Sequence, residues 1–206
     1  MQLIKNYIIR ICFIFTIIIA NISFATASND AANYINDLAE RVINIVKKTD
    51  LEEKEKESIL NEIFIQNVDV KWIGRFAMGK FWRRITPDQQ EKFLTIYSDY
   101  LTGLYVPNFR KYTGNKVKIV NATEVRPNEF LVQTLLTDST NNLEIKINYM
   151  IIKNGNDFDD FIIFDIIAEG VSLITTQRAE INSTMSNNDF NGLINLLIRK
   201  TASSSK

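Results

Sequence analysis

Few residues in this chain have side chains suited to chemistry. There is no histidine and a single cysteine, Cys12. Imidazole bases, Ser-His nucleophiles and His-ligated metals are therefore excluded, and thiolate chemistry hangs on one residue. Carboxylates, tyrosines and lysines remain. Two carboxylate pairs stand out, Asp159 with Asp160 and Asp165 with Glu169. Neighbours on a strand point to opposite faces, so the first pair does not share a site. Read on one strand, Asp165 and Glu169 share a face about 13 Å apart. Paired glycosidase carboxylates sit roughly 5 to 9.5 Å apart. Asp165 lies among apolar neighbours, and a buried carboxylate must find a partner or stay neutral. A structural hydrogen bond and an acid or base role both stay open for it. Lys80, Arg83 and Arg84 stand at i, i+3 and i+4, one face of a helix if the helix extends that far. A solvated face, a phosphate contact and a partner contact all fit that spacing.

The elements that must position these residues change period along the chain. Asp30 to Lys48 carries Ala31, Tyr34, Ile35, Leu38, Val42, Ile45 and Val46 at helical spacing. A second helix is predicted over Leu51 to Ile65, and Asp69 caps a third that carries Trp72, Ile73, Phe76 and Phe81. Thr86-Pro87-Asp88-Gln89 is a capping box with proline at the first helical position. The helix it opens is expected to reach about Tyr112 and to bend near Pro107. After Gly114-Asn115 the period becomes two. Four antiparallel strands are predicted, Val117 to Val125, Phe130 to Thr137, Leu143 to Ile152 and Phe161 to Ala168. The last is apolar on both faces, as a strand covered from both sides would be. Glu169-Gly170 turns the chain and Ser172 caps a helix reaching about Met185. Asp189 to Lys200 is predicted to be the last helix, and residues 201–206 a disordered tail.

The first 27 residues read as a leader. Lys5 and Arg10 precede an apolar run from Ile11 to Ala20, and Ala25-Thr26-Ala27 is a small-x-small cleavage site before Ser28. The run is short of the roughly 20 apolar residues that span a bilayer. Cys12 lies inside it. Residues 28–200 are expected to form one domain, free of cysteine and large enough for a single core. The full chain has 24 basic and 24 acidic residues, and removing Lys5 and Arg10 leaves 22 against 24. Such a balance gives no long-range attraction to nucleic acid.

Two segments resemble one family. Phe164-Asp165-Ile166-Ile167-Ala168-Glu169-Gly170-Val171-Ser172-Leu173-Ile174-Thr175-Thr176, and Gly79 to Gln90 with its aromatic-basic stretch before Thr-Pro-x-Gln, are similar to the periplasmic phospholipid-binding proteins of the Mla (maintenance of lipid asymmetry) pathway, the toluene-tolerance family. Neither segment holds catalytic residues. The resemblance implies an α+β fold, a curved four-stranded antiparallel sheet packed by about six to seven helices around an apolar cavity. It implies no enzyme, no cofactor and no metal, with a phospholipid as cargo. It also implies a periplasmic shuttle between an outer-membrane lipoprotein–porin complex and an inner-membrane ABC transporter. The segment around Gly170 would lie beside the cavity, making Val171, Leu173 and Ile174 lining candidates. Leu104, Tyr105, Phe109, Ile147, Tyr149 and Ile166 are further candidates from the apolar surplus of the long helix and strands. Lys80, Arg83 and Arg84 are candidates for headgroup or partner contact. Two other classes stay in play: a small-molecule enzyme on a cone-shaped α+β scaffold using Asp165 or a tyrosine, and a periplasmic interaction module with a filled core.

Overall fold

Local chemistry sets the order of elements. The structure, a computed structural model, describes residues 27–109, 116–138, 143–155 and 160–204. Apart from Ala27, the expected leader lies outside the described residues, as do Tyr112 and Asp159. Helix α1 spans 27–47, α2 Glu53–Asn67 and α3 Val70–Met78, followed by a 3₁₀ turn over Gly79–Arg84 and by α4, Pro87–Phe109. The Asp69 carboxylate caps α3 by accepting the Trp72 backbone N–H at 2.9 Å. At α4 the Gln89 side chain accepts the Thr86 N–H at 3.0 Å, and Thr86 Oγ1 accepts the Gln89 N–H at 3.3 Å. That is the reciprocal capping box predicted from the sequence. Helix α4 runs through Pro107. It packs closely on α3 because Gly74 has no side chain: a Cβ there would lie 2.9 Å from Leu94 Cδ2.

The strands are β1, Lys116–Arg126; β2, Glu129–Asp138; β3, Leu143–Lys153; β4, Phe161–Ala168; and β5, Val171–Ser172. They form an antiparallel meander in the order β1-β2-β3-β4-β5. The expected four-stranded sheet thus gains a two-residue fifth strand. Glu169 (φ 48°) and Gly170 (φ 82°) both adopt left-handed backbone, a combination that joins adjacent strands in a two-residue hairpin. Glu169 tolerates it because its N–H donates to Lys146 O at 2.9 Å while its carboxylate accepts the Lys146 N–H. Helices α5, Leu173–Asn187, and α6, Phe190–Ser204, close the chain. Helix α6 carries on past Lys200, so the stretch expected to be a loose tail is helical through Ser204, with Thr201 Oγ1 donating to Leu197 O.

The helices form a second layer through α4 on α6, α3 on α5 and α2 on α4, and α2, α3 and α5 meet the sheet at β4. No residue of β4 is exposed. At one end of the sheet Phe130, Phe161 and Tyr34 of α1 fill the space, with ring centroids 5.4 to 5.6 Å apart. Helices docked chiefly on the last long strand leave space over the inner face of the earlier strands, beneath α1, α2 and the end of α4.

Candidate functional site

Between α1, α2, the end of α4 and the inner face of the sheet lies a cavity of about 320 Å³. That is near the lower end of the roughly 300–1,000 Å³ typical of small-molecule sites. The sheet supplies Val117, Leu136, Ile147, Tyr149, Ile163, Ile166 and Ala168. Their common face follows from pairing: Val117 opposes Leu136, Ile147 opposes Ala168, and Tyr149 opposes Ile166. Simple alternation along β4 would put Ile163 and Ile166 on opposite faces. A bulge corrects this, since Met150 pairs with Asp165 and Ile151 with Ile163, leaving Phe164 as the extra residue. Phe164 instead packs edge-on against Trp72 of α3. Bulges in β1 likewise turn Val120 and Val125 outward, 61% and 45% exposed.

Helix α1 contributes Ile35, Leu38 and Val42, α2 contributes Ile63, Phe64 and Asn67, and α4 contributes Tyr105, Asn108 and Phe109. No charged side chain lines the cavity. Its two amides are hydrogen-bonded within the protein: Asn67 accepts the Tyr34 hydroxyl at 2.8 Å and donates to Ile63 O at 2.7 Å, and Asn108 donates to Leu104 O at 2.8 Å. Burial pushes the Tyr105 phenol up to about 12, so it stays neutral at physiological pH. An uncharged slot walled by aliphatic and aromatic groups suits hydrocarbon.

Six of the nine lining candidates from the sequence face this cavity: Tyr105, Phe109, Ile147, Tyr149, Ile166 and Leu173. Leu104 packs half-buried against the core, and Val171 on β5 is 57% exposed. Ile174 faces a smaller alcove of about 30 Å³ that shares Phe64, Val68, Tyr105, Ile163, Ile166 and Leu173 with the cavity. The contributions of α1 and α2 were not anticipated. Their apolar positions carry the same periodicity whether they meet core or empty space, so the sequence held no signal for them.

The candidate chemical groups separate. The Asp165 carboxylate accepts the Ser172 hydroxyl at 2.7 Å and the Ile174 N–H at 3.2 Å. Glu169 lies in the hairpin turn beyond β4, so the two carboxylates do not share a strand face. Lys80, Arg83 and Arg84 do not form the α-helical face their spacing allowed. Helix α3 ends at Met78, Gly79 takes φ 51°, and the three cations follow in the exposed 3₁₀ turn. Lys80 and Arg84 lie over the Phe81 ring, 5.1 and 5.5 Å from its centroid, and none lines the cavity. Among the described residues no cluster of three or more acidic, His or Cys side chains is placed to hold a metal. Nor is any described helix long and apolar enough to cross a membrane.

The profile of the MlaC protein family matches residues 36–199. The chain belongs to the MlaC protein family. A relative from Haemophilus influenzae, the intermembrane phospholipid transport system binding protein MlaC, is 20% identical over 117 residues, 57% of this chain. The matched region spans 55% of that relative's own length. The fold is that of a phospholipid-binding protein from Ralstonia solanacearum solved in complex with a phospholipid. It superposes with a TM-score of 0.68 at 16% identity, over 87% of this chain and 99% of the other. The chain is α+β with an open antiparallel sheet.

Proposed function

We propose that this MlaC-family protein is a phospholipid carrier that works without chemistry. The observation that carries the reading is the uncharged apolar cavity between the sheet and α1, α2 and α4. Each methylene withdrawn from water contributes about 0.8 kcal/mol, so two acyl chains of some 15 methylenes represent on the order of 20 kcal/mol of exposure. A lipid crosses water only inside a sheath that removes that exposure. The cavity provides such a sheath for tails and offers no charge to a headgroup, which leaves the headgroup at the mouth. Selection then falls on acyl chains more than on headgroup type.

The slot widens by a slight separation of the long helix α4 from the sheet, takes the tails and closes over them. Docking to a membrane partner lowers the barrier to release. The leader-like residues 1–27 and the family together support a periplasmic location after cleavage. The family resemblance supports exchange with an outer-membrane lipoprotein–porin complex and an inner-membrane ABC transporter, which would maintain lipid asymmetry. The leader-less protein, incubated with phospholipid vesicles and examined by native mass spectrometry, should carry the mass of bound phospholipid. Protein that stays lipid-free, both as purified and after incubation, would overturn the reading.

A further inference from the structure

A strongly charged surface lies where α3, the 3₁₀ turn and α5 meet. Six cations are exposed there: Lys71 and Arg75 on α3, Lys80, Arg83 and Arg84 in the turn, and Arg178 on α5. Aromatic rings link them. Arg75 lies 6.0 Å from the Trp82 centroid, Arg178 lies 4.6 Å from that of Phe76, and Lys80 and Arg84 share Phe81. Phe76 in turn stacks on Trp72 at 5.3 Å, and Trp72 is 41% exposed. None of the six cations makes an ion pair among the described residues. The acidic residues nearest to them in the chain are engaged elsewhere. Asp69 caps α3, Glu180 pairs with Lys200, and Asp88 lies in the first turn of α4, where the helix dipole favours it. A chain whose charges nearly balance thus gathers six cations, none held by a carboxylate, around an exposed indole.

We propose that this face docks the protein on the surface of an anionic lipid bilayer. Each Lys or Arg brought close to an anionic leaflet strengthens binding by roughly fivefold. Tryptophan settles at the headgroup level, where its ring meets hydrocarbon and its N–H meets water. Lipid phosphates need no matched shape, so cations spread over two helices and a turn are satisfied together. Salt screens the attraction beyond about 8 Å, so it acts only at close approach. The docking face is also separate from the slot. Arg84 stands just before α4, whereas Phe109, a half-buried wall of the slot, ends it. From Pro87 to Phe109 the helix rises roughly 33 Å. Docking therefore holds the protein at a membrane without filling the slot. It needs no cargo, and so stands or falls apart from the carrier reading.

Flotation of the leader-less protein with vesicles tests this, using phosphatidylcholine either pure or mixed with phosphatidylglycerol. The protein should float with the mixed vesicles only. Salt at about 1 M, where the screening length is about 3 Å, should release it. Lys80→Gln, Arg83→Gln and Arg84→Gln together should weaken binding to the mixed vesicles on the order of a hundredfold, three factors of about five. Trp72→Ser should weaken it with no change of charge. Arg41→Gln, Lys47→Gln and Lys48→Gln, the same change of charge on α1 and just past its end, should leave it intact. Circular dichroism checks that each variant is folded. Native protein that ignores the mixed vesicles would overturn the proposal and make an acidic protein surface the better fit for this face. Equal losses in the two triple variants would overturn it too. Native mass spectrometry reads cargo separately. A variant that no longer floats but still carries phospholipid supports docking apart from the slot, whereas native protein that floats yet never takes up phospholipid would sink the carrier reading alone.

Discussion

The Asp165 carboxylate holds the start of α5 through Ser172, with Ser172 Oγ donating to Asp165 Oδ2 at 2.7 Å while also accepting the Thr175 N–H at 3.2 Å. One hydroxyl thus couples a buried acid on β4 to the cap of the helix that walls the alcove. The Ile174 N–H, which also bonds Asp165, is one of the donors that every helix start leaves unpaired.

Asp165→Ala should therefore act on stability. Removing the carboxylate strands the Ile174 N–H and leaves the Ser172 hydroxyl with Thr175 Oγ1 as its remaining acceptor, at a cost of about 2 kcal/mol. Ser172→Ala, which loses a cap, should cost about 1 kcal/mol. The double variant should lose less than the sum, because both substitutions remove the same bond. Urea unfolding midpoints at unchanged m would measure this; strict additivity would contradict the coupling.

Filling the slot should abolish binding while sparing the fold. Ala168→Trp places an indole against Ile147 in the wall of the cavity. Phospholipid occupancy should fall by at least about tenfold, equivalent to about 1.4 kcal/mol. Circular dichroism and the thermal midpoint would separate a blocked slot from an unfolded chain. Undiminished occupancy in a folded variant would place the lipid elsewhere.

The exposed cations of the 3₁₀ turn should be dispensable for holding lipid. Replacing Lys80, Arg83 and Arg84 together by Gln should leave phospholipid occupancy within about twofold, since exposed charge pairs contribute under about 1 kcal/mol. Transfer to membranes bearing a partner complex is the assay in which a docking role would appear. A large fall in occupancy from vesicles would instead make these residues headgroup ligands.

One pH response should lie on the alkaline side. Without histidine, no side chain has an ordinary pKa between about pH 5 and 8. Burial raises the Tyr97 and Tyr105 phenols, so the folded protein holds those protons more tightly than the unfolded chain. Stability is then full below about pH 10, the unfolded tyrosine value, and falls as pH rises through the folded values. Tyr97→Phe should unfold less readily in that window, and it also removes a buried hydroxyl that lacks a partner among the described residues. Thermal midpoints across the pH range would show it; equal alkaline sensitivity in both proteins would count against Tyr97.

The sequence by itself determined what neighbours in the chain decide. Caps at Asp69, Thr86 and Ser172, the turn at Glu169-Gly170 and the change of period after Gly114 all act over a few residues, so their signals survive without a fold. The absence of histidine was decisive in the same way. The lining of the slot was legible where apolar strand and helix positions are in surplus, as at Tyr149, Ile166 and Tyr105. Tertiary structure decided the rest. Bulges at Phe164 and Val120 shift the pleat by one residue and so choose which side chains face inward, and pairing between strands sets them. Helix α1 presents the same stripe to a core as to a cavity, and only the docking of the other helices at β4 leaves space beneath it. Nothing local in the sequence marks Gln177 on α5 as buried. Its burial against Tyr100, 77 positions earlier, is a contact that only the fold creates.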